Sequence, residues 1–393
     1  MRHTLNDDKK IRGLYAKWLS ILPVKKNKVV FSQFGGKGYG CNPKAICDEF
    51  LKRDEKYDLV WILGASRDRN KENIPEGVRT VSGIEAIKEL MTAKVWINNI
   101  HFNTLIEKGL KKKKQTIYLN TYHAGLSLKH QVNDKNNYNN KKEISQKEKK
   151  YRIDGQYVDY ISCGYAAQRH ALEVFFYGNG EIVNLGNART DVIVNGSEEI
   201  RNKVRKFYKI GPETNIITYA PTFRSDMKLH WYDLQYEKII KLLEDKTGEE
   251  WVMLIRLHPR LEKKTKKIMP KSSKFINAGA YPDMQDLIVA SEMMISDYSS
   301  VITDFMLSKR PMFMYVPDLD QYLEKRGLYY TMEELPFPYA TTTDALSDII
   351  QNFDEEKYVA DVDAFIDKLG CYNDGNASKR TVDFLISKMQ EKR

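Results

Sequence analysis

Two runs of apolar strands alternating with amphipathic helices leave this chain few folds to choose from. NKVVFSQF (27–34) has a continuous apolar centre and runs into the breaker stretch GGKGYG. PKAICDEFLKR (43–53) has helical spacing, YDLVWILG (57–64) reads as a strand and GIEAIKELMTA (83–93) as a helix. KVWINNI (94–100), QTIYLNTYHAG (115–125), DYISCG (159–164) and EIVNLGNARTDV (181–192) are further strands with their loops, and AAQRHALEVFF (166–176) is another helix. Strands apolar on both faces, separated by helices, belong to parallel sheets wound with helices on each side.

A second block repeats this pattern from residue 215. NIITYAPTFR (215–224), EWVMLIRLHPR (250–260), FINAG (275–279), EMMISDYSS (292–300) and PMFMYVPD (311–318) read as strands with their loops. YEKIIKLLEDKTG (236–248), MQDLIVAS (284–291) and VITDFMLSK (301–309) are the helices between them. The polar stretch 194–214 reads as the linker. At about 100–200 residues per domain, 393 residues suit two such lobes. The expected division is a basic amphipathic segment at 1–28, a first lobe at 29–195, a second at 210–370 and a C-terminal helix at 371–393.

Composition removes several alternatives. An apolar share of 42% is too high for a disordered chain. No apolar run is long enough to span a bilayer, and the N-terminus lacks the apolar core of a secretion signal. Cys41, Cys47, Cys163 and Cys371 form no CxxC pair, so reduced thiols and a cytoplasmic location are expected. The net charge of +10 is unevenly spread. Residues 1–28 carry eight Lys/Arg and two Asp (+6), and residues 105–152 carry thirteen Lys/Arg and four acids (+9), which leaves −5 for the rest. Within 1–28, Ile11, Leu14, Tyr15, Trp18, Leu19 and Leu22 fall at helical spacing among lysines. That pattern suits a helix lying on an anionic membrane, and equally one packed on the protein. Residues 131–152 are Asn/Lys-rich and nearly free of apolar side chains, which makes them surface rather than core.

The polar residues that follow the strands suggest chemistry. Ser299 and Ser300 stand where a helix begins after a buried strand, a place where free N–H groups attract anions, although an ordinary Ser cap has the same sequence. Asp304, one turn on, is suited to a ribose diol. His258, between Arg256 and Arg260, suits a phosphate oxygen, and Thr222 and Arg224 suit phosphate or a base edge. His123 suits a general base for an alcohol, and Gly125 beside it permits close backbone approach. Arg189 ends another strand-to-helix turn. Each alone has a structural alternative; together they gather at strand C-termini of both lobes, where a crevice collects ligands. FGGKGYG (34–40) lacks the lysine-hydroxyl ending of a phosphate loop and fits the dinucleotide fingerprint poorly. There is no HExxH, no Cys/His spacing for zinc and no GxSxG, so no metal site or hydrolase elbow is expected.

In order, HAGLSLK (123–129), GNARTD (186–191), APTFR (220–224), RLHP (256–259) and SDYSSVITD (296–304) with KRPMFMYVPD resemble the CDP-glycerol glycerophosphotransferase family, the teichoic-acid and capsule polyol-phosphate transferases. FSQFGGKGYGCNPKAI and WINN (96–99) are similar to that family too. The resemblance implies a GT-B-like α/β fold, two Rossmann-type doubly wound lobes with an interlobe cleft. It implies transfer of glycerol phosphate or ribitol phosphate from a CDP-polyol to a lipid-linked acceptor, with release of CMP. His123 matches the catalytic base and His258 the second essential histidine. Arg189, Thr222, Arg224, Arg256, Ser299, Ser300 and Asp304 fall on the donor side, and Gly125 and Lys129 on the acceptor side. No cofactor is implied; Mg²⁺ would enter only with the donor pyrophosphate. The expected partners are the CDP-polyol, the acceptor and the inner face of an anionic membrane, without nucleic acid; the oligomeric state stays open. The chain departs from the family where HAGLSLK replaces the commoner HGTPLK. A GT-B glycosyltransferase using a nucleotide sugar and a non-catalytic polyanion-binding protein are the competing readings.

Overall fold

The structure is a computed structural model that describes residues 18–19, 21–64, 73–102, 105–106, 110–131, 152–224, 226–265 and 267–391. The first lobe is built on a seven-stranded sheet of β1 (Lys25–Ser32), β2 (Asp58–Ile62), β3 (Val78–Val81), β4 (Ala93–Asn98), β5 (Ile117–Asn120), β6 (Tyr160–Ser162) and β7 (Glu181–Val183). Its spatial order is β3-β2-β1-β4-β5-β6-β7. The second sheet has β8 (Asn215–Tyr219), β9 (Trp251–Ile255), β10 (Phe275–Asn277), β11 (Met293–Ser296), β12 (Met312–Tyr315) and β13 (Tyr339–Ala340), ordered β10-β9-β8-β11-β12-β13. Every pairing in both sheets is parallel. The fold is therefore the GT-B-like pair of doubly wound lobes that the sequence implied. Each sheet reverses its winding once, between β1 and β4 and between β8 and β11, and such switch points place the following loops in a crevice.

The strands read from the sequence are the central ones, buried on both faces, together with the edge strands β7 and β10. β3 and β13 escaped that reading: VRTV is largely solvent-facing and β13 has two residues. The 194–214 stretch is not an open linker either. It holds the helix Glu198–Tyr208, capped by Ser197 Oγ accepting from Ile200 N–H at 3.2 Å. Val204 anchors it in a small core with Ile216, Leu254 and Leu287 of the second lobe.

The lobes are joined by more than the linker. The helix Glu355–Leu369 buries Tyr358, Val362, Phe365 and Leu369 in a cluster that also takes in Leu126, Leu128 and Tyr165 of the first lobe and Tyr298, Ile302 and Phe305 of the second. After Gly370 the chain returns, and the last helix, Ala377–Glu391, buries Val382 and Leu385 against the first sheet. The C-terminal helix is thus part of the first lobe's core.

At the other end, Leu19 is buried and Leu22 packs on the first lobe's core, while Trp18 (53% exposed) and Ile21 (75%) face outward. Ile11, Leu14 and Tyr15 of that segment lie outside the described residues, as does most of the Asn/Lys-rich stretch.

Candidate functional site

Parallel strands put all their C-termini on one edge, so the loops after β1, β4 and β5 confront those after β8, β9 and β11. His123 follows β5. Its ring Nδ1 lies 3.1 Å from the carbonyl oxygen of Asn99, the residue after β4. A carbonyl only accepts, so Nδ1 carries the proton and Nε2 keeps its lone pair. Burial pulls the His123 imidazole down to about 4; the Asn99 carbonyl opposes the fall, and the Arg189 charge adds to it. The ring is therefore neutral at ordinary pH. Phe34, from the loop after β1, meets it edge-on at 5.6 Å. Phe34 has a left-handed backbone (φ 42°), and Asn99 holds it there by accepting the Phe34 N–H on Oδ1 at 2.9 Å.

His258, after β9, is set the opposite way. Its Nδ1 accepts from the Arg260 backbone N–H at 3.2 Å, which leaves Nε2 as the N–H donor of the neutral ring. Burial, then the charges of Arg260 and Lys37, hold its pKa below the usual histidine range. His258 lines a cavity of about 490 Å³ with Lys129, Thr222, Arg256, Ser299, Tyr322 and Arg326. Arg256 gives Nη1 to the carbonyls of Ala278 and Tyr281 at 2.9 and 2.8 Å, which fixes the guanidinium on the cavity wall. Thr222 N–H donates to Asp297 at 2.8 Å. Ser299 Oγ accepts the Val301 N–H at 3.4 Å at the start of the short helix Val301–Phe305.

Three of the expected donor-side residues are occupied otherwise. Arg189 forms a two-pronged ion pair with Asp304, Nε to Oδ2 at 2.8 Å and Nη2 to Oδ1 at 2.9 Å, and both residues are buried. Gln285 adds a third bond to Asp304 Oδ2 at 3.1 Å. Asp304 thus spends three of its about four acceptor sites on protein and does not line the cavity. Burial opposes the charge on Arg189, but Asp304 outweighs it and the guanidinium sits above its ordinary range. The pair links the lobes, and Arg189 Nη1 donates to the His123 carbonyl at 2.8 Å, so it also braces the loop of the expected base. Arg224 is enclosed as well. Asp318 accepts from its Nε and Nη2 at 2.7 and 2.8 Å, and Asp297 from Nη1 at 2.6 Å. Its guanidinium lies over the rings of Tyr298 and Tyr322. Arg224 organises the floor beneath the cavity. Ser300 precedes the Val301–Phe305 helix without a side-chain cap bond and is not part of the cavity lining.

The acceptor-side expectations change too. Gly125 is pressed against the second lobe: a Cβ there would lie 2.6 Å from Thr303 Oγ1 and 2.7 Å from Asp304 Oδ1. Its close approach is to protein. Lys129, six residues after His123, has crossed the cleft. It pairs with Leu328, and its Nζ donates to Thr222 Oγ1 at 3.4 Å.

Sequence reasoning missed several contributors. Asn99 serves both His123 and Phe34. Asn42 accepts the Arg189 N–H at 3.0 Å and donates to the carbonyls of Thr121 and Tyr122. Asp297 and Asp318, at the ends of apolar strands, were findable by the same strand-end rule that picked Thr222. Arg326, in the polar run LDQYLEKR, carried no signal. Among the described residues no group of three or more His, Cys, Asp or Glu is placed to hold a metal ion.

Comparison with known proteins places the family and matches the fold. The chain is 28% identical over 379 residues to the teichoic acid poly(glycerol phosphate) polymerase of Bacillus subtilis (strain 168), which covers 93% of this chain and 49% of that protein. It therefore spans about half the length of that relative. It is 27% identical over 388 residues to the teichoic acid ribitol-phosphate primase of Bacillus spizizenii (strain ATCC 23059 / NRRL B-14472 / W23), covering 96% of each. The solved structure of the wall teichoic acid polymerase TagF superposes with a TM-score of 0.83 at 26% identity, over 98% of this chain and 94% of that one. The family described as CDP-Glycerol:Poly(glycerophosphate) glycerophosphotransferase matches residues 14–387, and the chain belongs to that family.

Proposed function

We propose that this protein transfers a polyol phosphate, glycerol phosphate first and ribitol phosphate second, from a CDP-polyol to a hydroxyl of a lipid-linked acceptor. The observation that carries the reading is the pair of oppositely set histidines at strand ends of the two lobes, His258 on the cavity wall and His123 on the loop that brings Lys129 to it. His123 offers a lone pair at Nε2, and His258 offers an N–H at the cavity. The acceptor hydroxyl gives its proton to His123 Nε2 while its oxygen bonds to the phosphorus that bears the polyol. The bond from that phosphorus to the CMP oxygen breaks, and CMP leaves with the electron pair. Such transfer depends on positioning and charge neutralisation. Arg256, Thr222, Ser299 and the His258 N–H supply donors where the diphosphate would lie. Any Mg²⁺ would arrive with the diphosphate.

The acceptor's lipid would hold the protein at the inner face of the cell membrane. Trp18 and Ile21 face outward beside exposed Lys25 and Lys26, which suits an anionic surface. Among the described residues no helix is long and apolar enough to cross a membrane. The test is to incubate the protein with CDP-glycerol, CDP-ribitol and UDP-sugars and to follow the released nucleotide. CMP from a CDP-polyol supports the reading; UDP from a UDP-sugar alone means a glycosyltransferase instead.

A further inference from the structure

The cavity holds two cations that no carboxylate pairs among the described residues. Arg326 ends the second-lobe helix Leu319–Arg326, Lys129 belongs to the first-lobe loop after His123, and both line the same space. Backbone pairing keeps them together: Lys129 bridges Leu328, and the Tyr329 N–H donates to the Leu128 carbonyl at 2.7 Å. Among the described residues, Arg326 Nε is buried without a hydrogen-bond partner. Among the same residues, Lys129 Nζ makes only its long bond to Thr222. The nearby carboxylates are already committed, Asp297 to Arg224 and Thr222, and Asp318 to Arg224. Burial brings the Lys129 ammonium down to about 8; Asp297 resists this, and the charges of Arg326 and Arg224 add to it. Arg256 and His258 are the other cationic or N–H groups on the same wall. Like charges held together in a half-buried cavity repel, and an anion between them relieves both.

We propose that Lys129 and Arg326 form a clamp, one arm from each lobe, that grips the diphosphate of the donor. This rests on the CDP-polyol reading above. It makes Arg326 a donor-binding residue and moves Lys129 from the acceptor to the donor. It also gives donor binding a pH dependence of defined sign. Lys129 is charged below about pH 8 and loses its charge above it, so affinity falls as the solution becomes alkaline.

Calorimetry with CDP-glycerol, CDP-ribitol and inorganic pyrophosphate, at pH 7 and about pH 9.5, tests the clamp. Arg326→Ala and Lys129→Met are each expected to weaken the donor by about 10- to 100-fold, as for lost hydrogen bonds to a charged group. Arg326→Lys should recover part of the loss, and Lys129→Arg should keep its affinity at high pH where the native protein does not. Without ligand, Arg326→Ala should melt no lower than the native protein, because among the described residues no carboxylate pairs its charge and its Nε has no hydrogen-bond partner. A lower melting point with unchanged affinity would mean a structural role and overturn the clamp. So would native-like donor affinity in both truncations. If the native protein binds neither CDP-polyol, the donor reading fails by itself. Pyrophosphate then decides the clamp: binding lost in both truncations supports it, while binding unchanged in them, or absent from the native protein, refutes it.

Discussion

At the scale of single residues, one backbone group decides what each histidine can do. The Asn99 carbonyl leaves His123 a base, and the Arg260 N–H leaves His258 a donor. Removing a general base typically costs about 10²–10⁴-fold, so His123→Ala should lose transfer by that factor and keep its affinity for CDP-glycerol. Steady-state rates paired with calorimetry check both halves. The pH dependence of stability follows from the lowered pKa. His123 titrates near 6.5 when unfolded and near 4 when folded, so the unfolded chain takes up its proton first on acidification. The native state is thus undermined as pH falls from about 6.5 toward 4. His123→Asn should lessen that loss, seen as a smaller drop in the urea midpoint between neutral pH and about pH 4.5.

Elements decide which of these residues can meet. Arg189 and Asp304 are 115 positions apart, and each was recognisable as a polar residue at an element end. That they face each other followed from neither motif, since a pattern along one chain carries no distance across a cleft. The same holds for Lys129. Its place near His123 in sequence suggested the acceptor side, but the loop crosses to pair with Leu328. Strand ends were legible because parallel strands buried on both faces are continuously apolar and stop at Gly, Pro or polar residues. β3 and the polar helix Leu319–Arg326 were not, since little of their surface is buried, and β13 was not because it has only two residues. Two substitutions probe the contact between elements. Asp304→Asn leaves the Arg189 charge buried without its counter-ion, which should cost about 3–5 kcal/mol in chemical denaturation. Gly125→Ala forces a methyl onto Thr303 and Asp304 and should cost about 1–3 kcal/mol by the same measurement.

For the molecule as a whole, the +10 charge resolves into local placements. Leu19 and Leu22 tie the start of the described chain to the first lobe, while Trp18 and Ile21 stay outside. Vesicles containing phosphatidylglycerol should therefore sediment the protein at low salt. Trp18→Ser with Ile21→Ser should weaken that binding, and salt should weaken it further. Native-like sedimentation by the double variant would remove this surface from membrane attachment.

The two lobes are closed on each other by the Arg189–Asp304 pair and a shared apolar cluster, and what they enclose is read as a phosphotransfer cleft. Mass spectrometry of a lipid-linked acceptor after incubation with CDP-glycerol tests that reading most directly. The account predicts an acceptor heavier by whole glycerol phosphate units, one CMP released for each, and a gain slowed by about 10²–10⁴-fold with His123→Ala. CMP released without any gain in acceptor mass, or a gain obtained only from a nucleotide sugar, would contradict it.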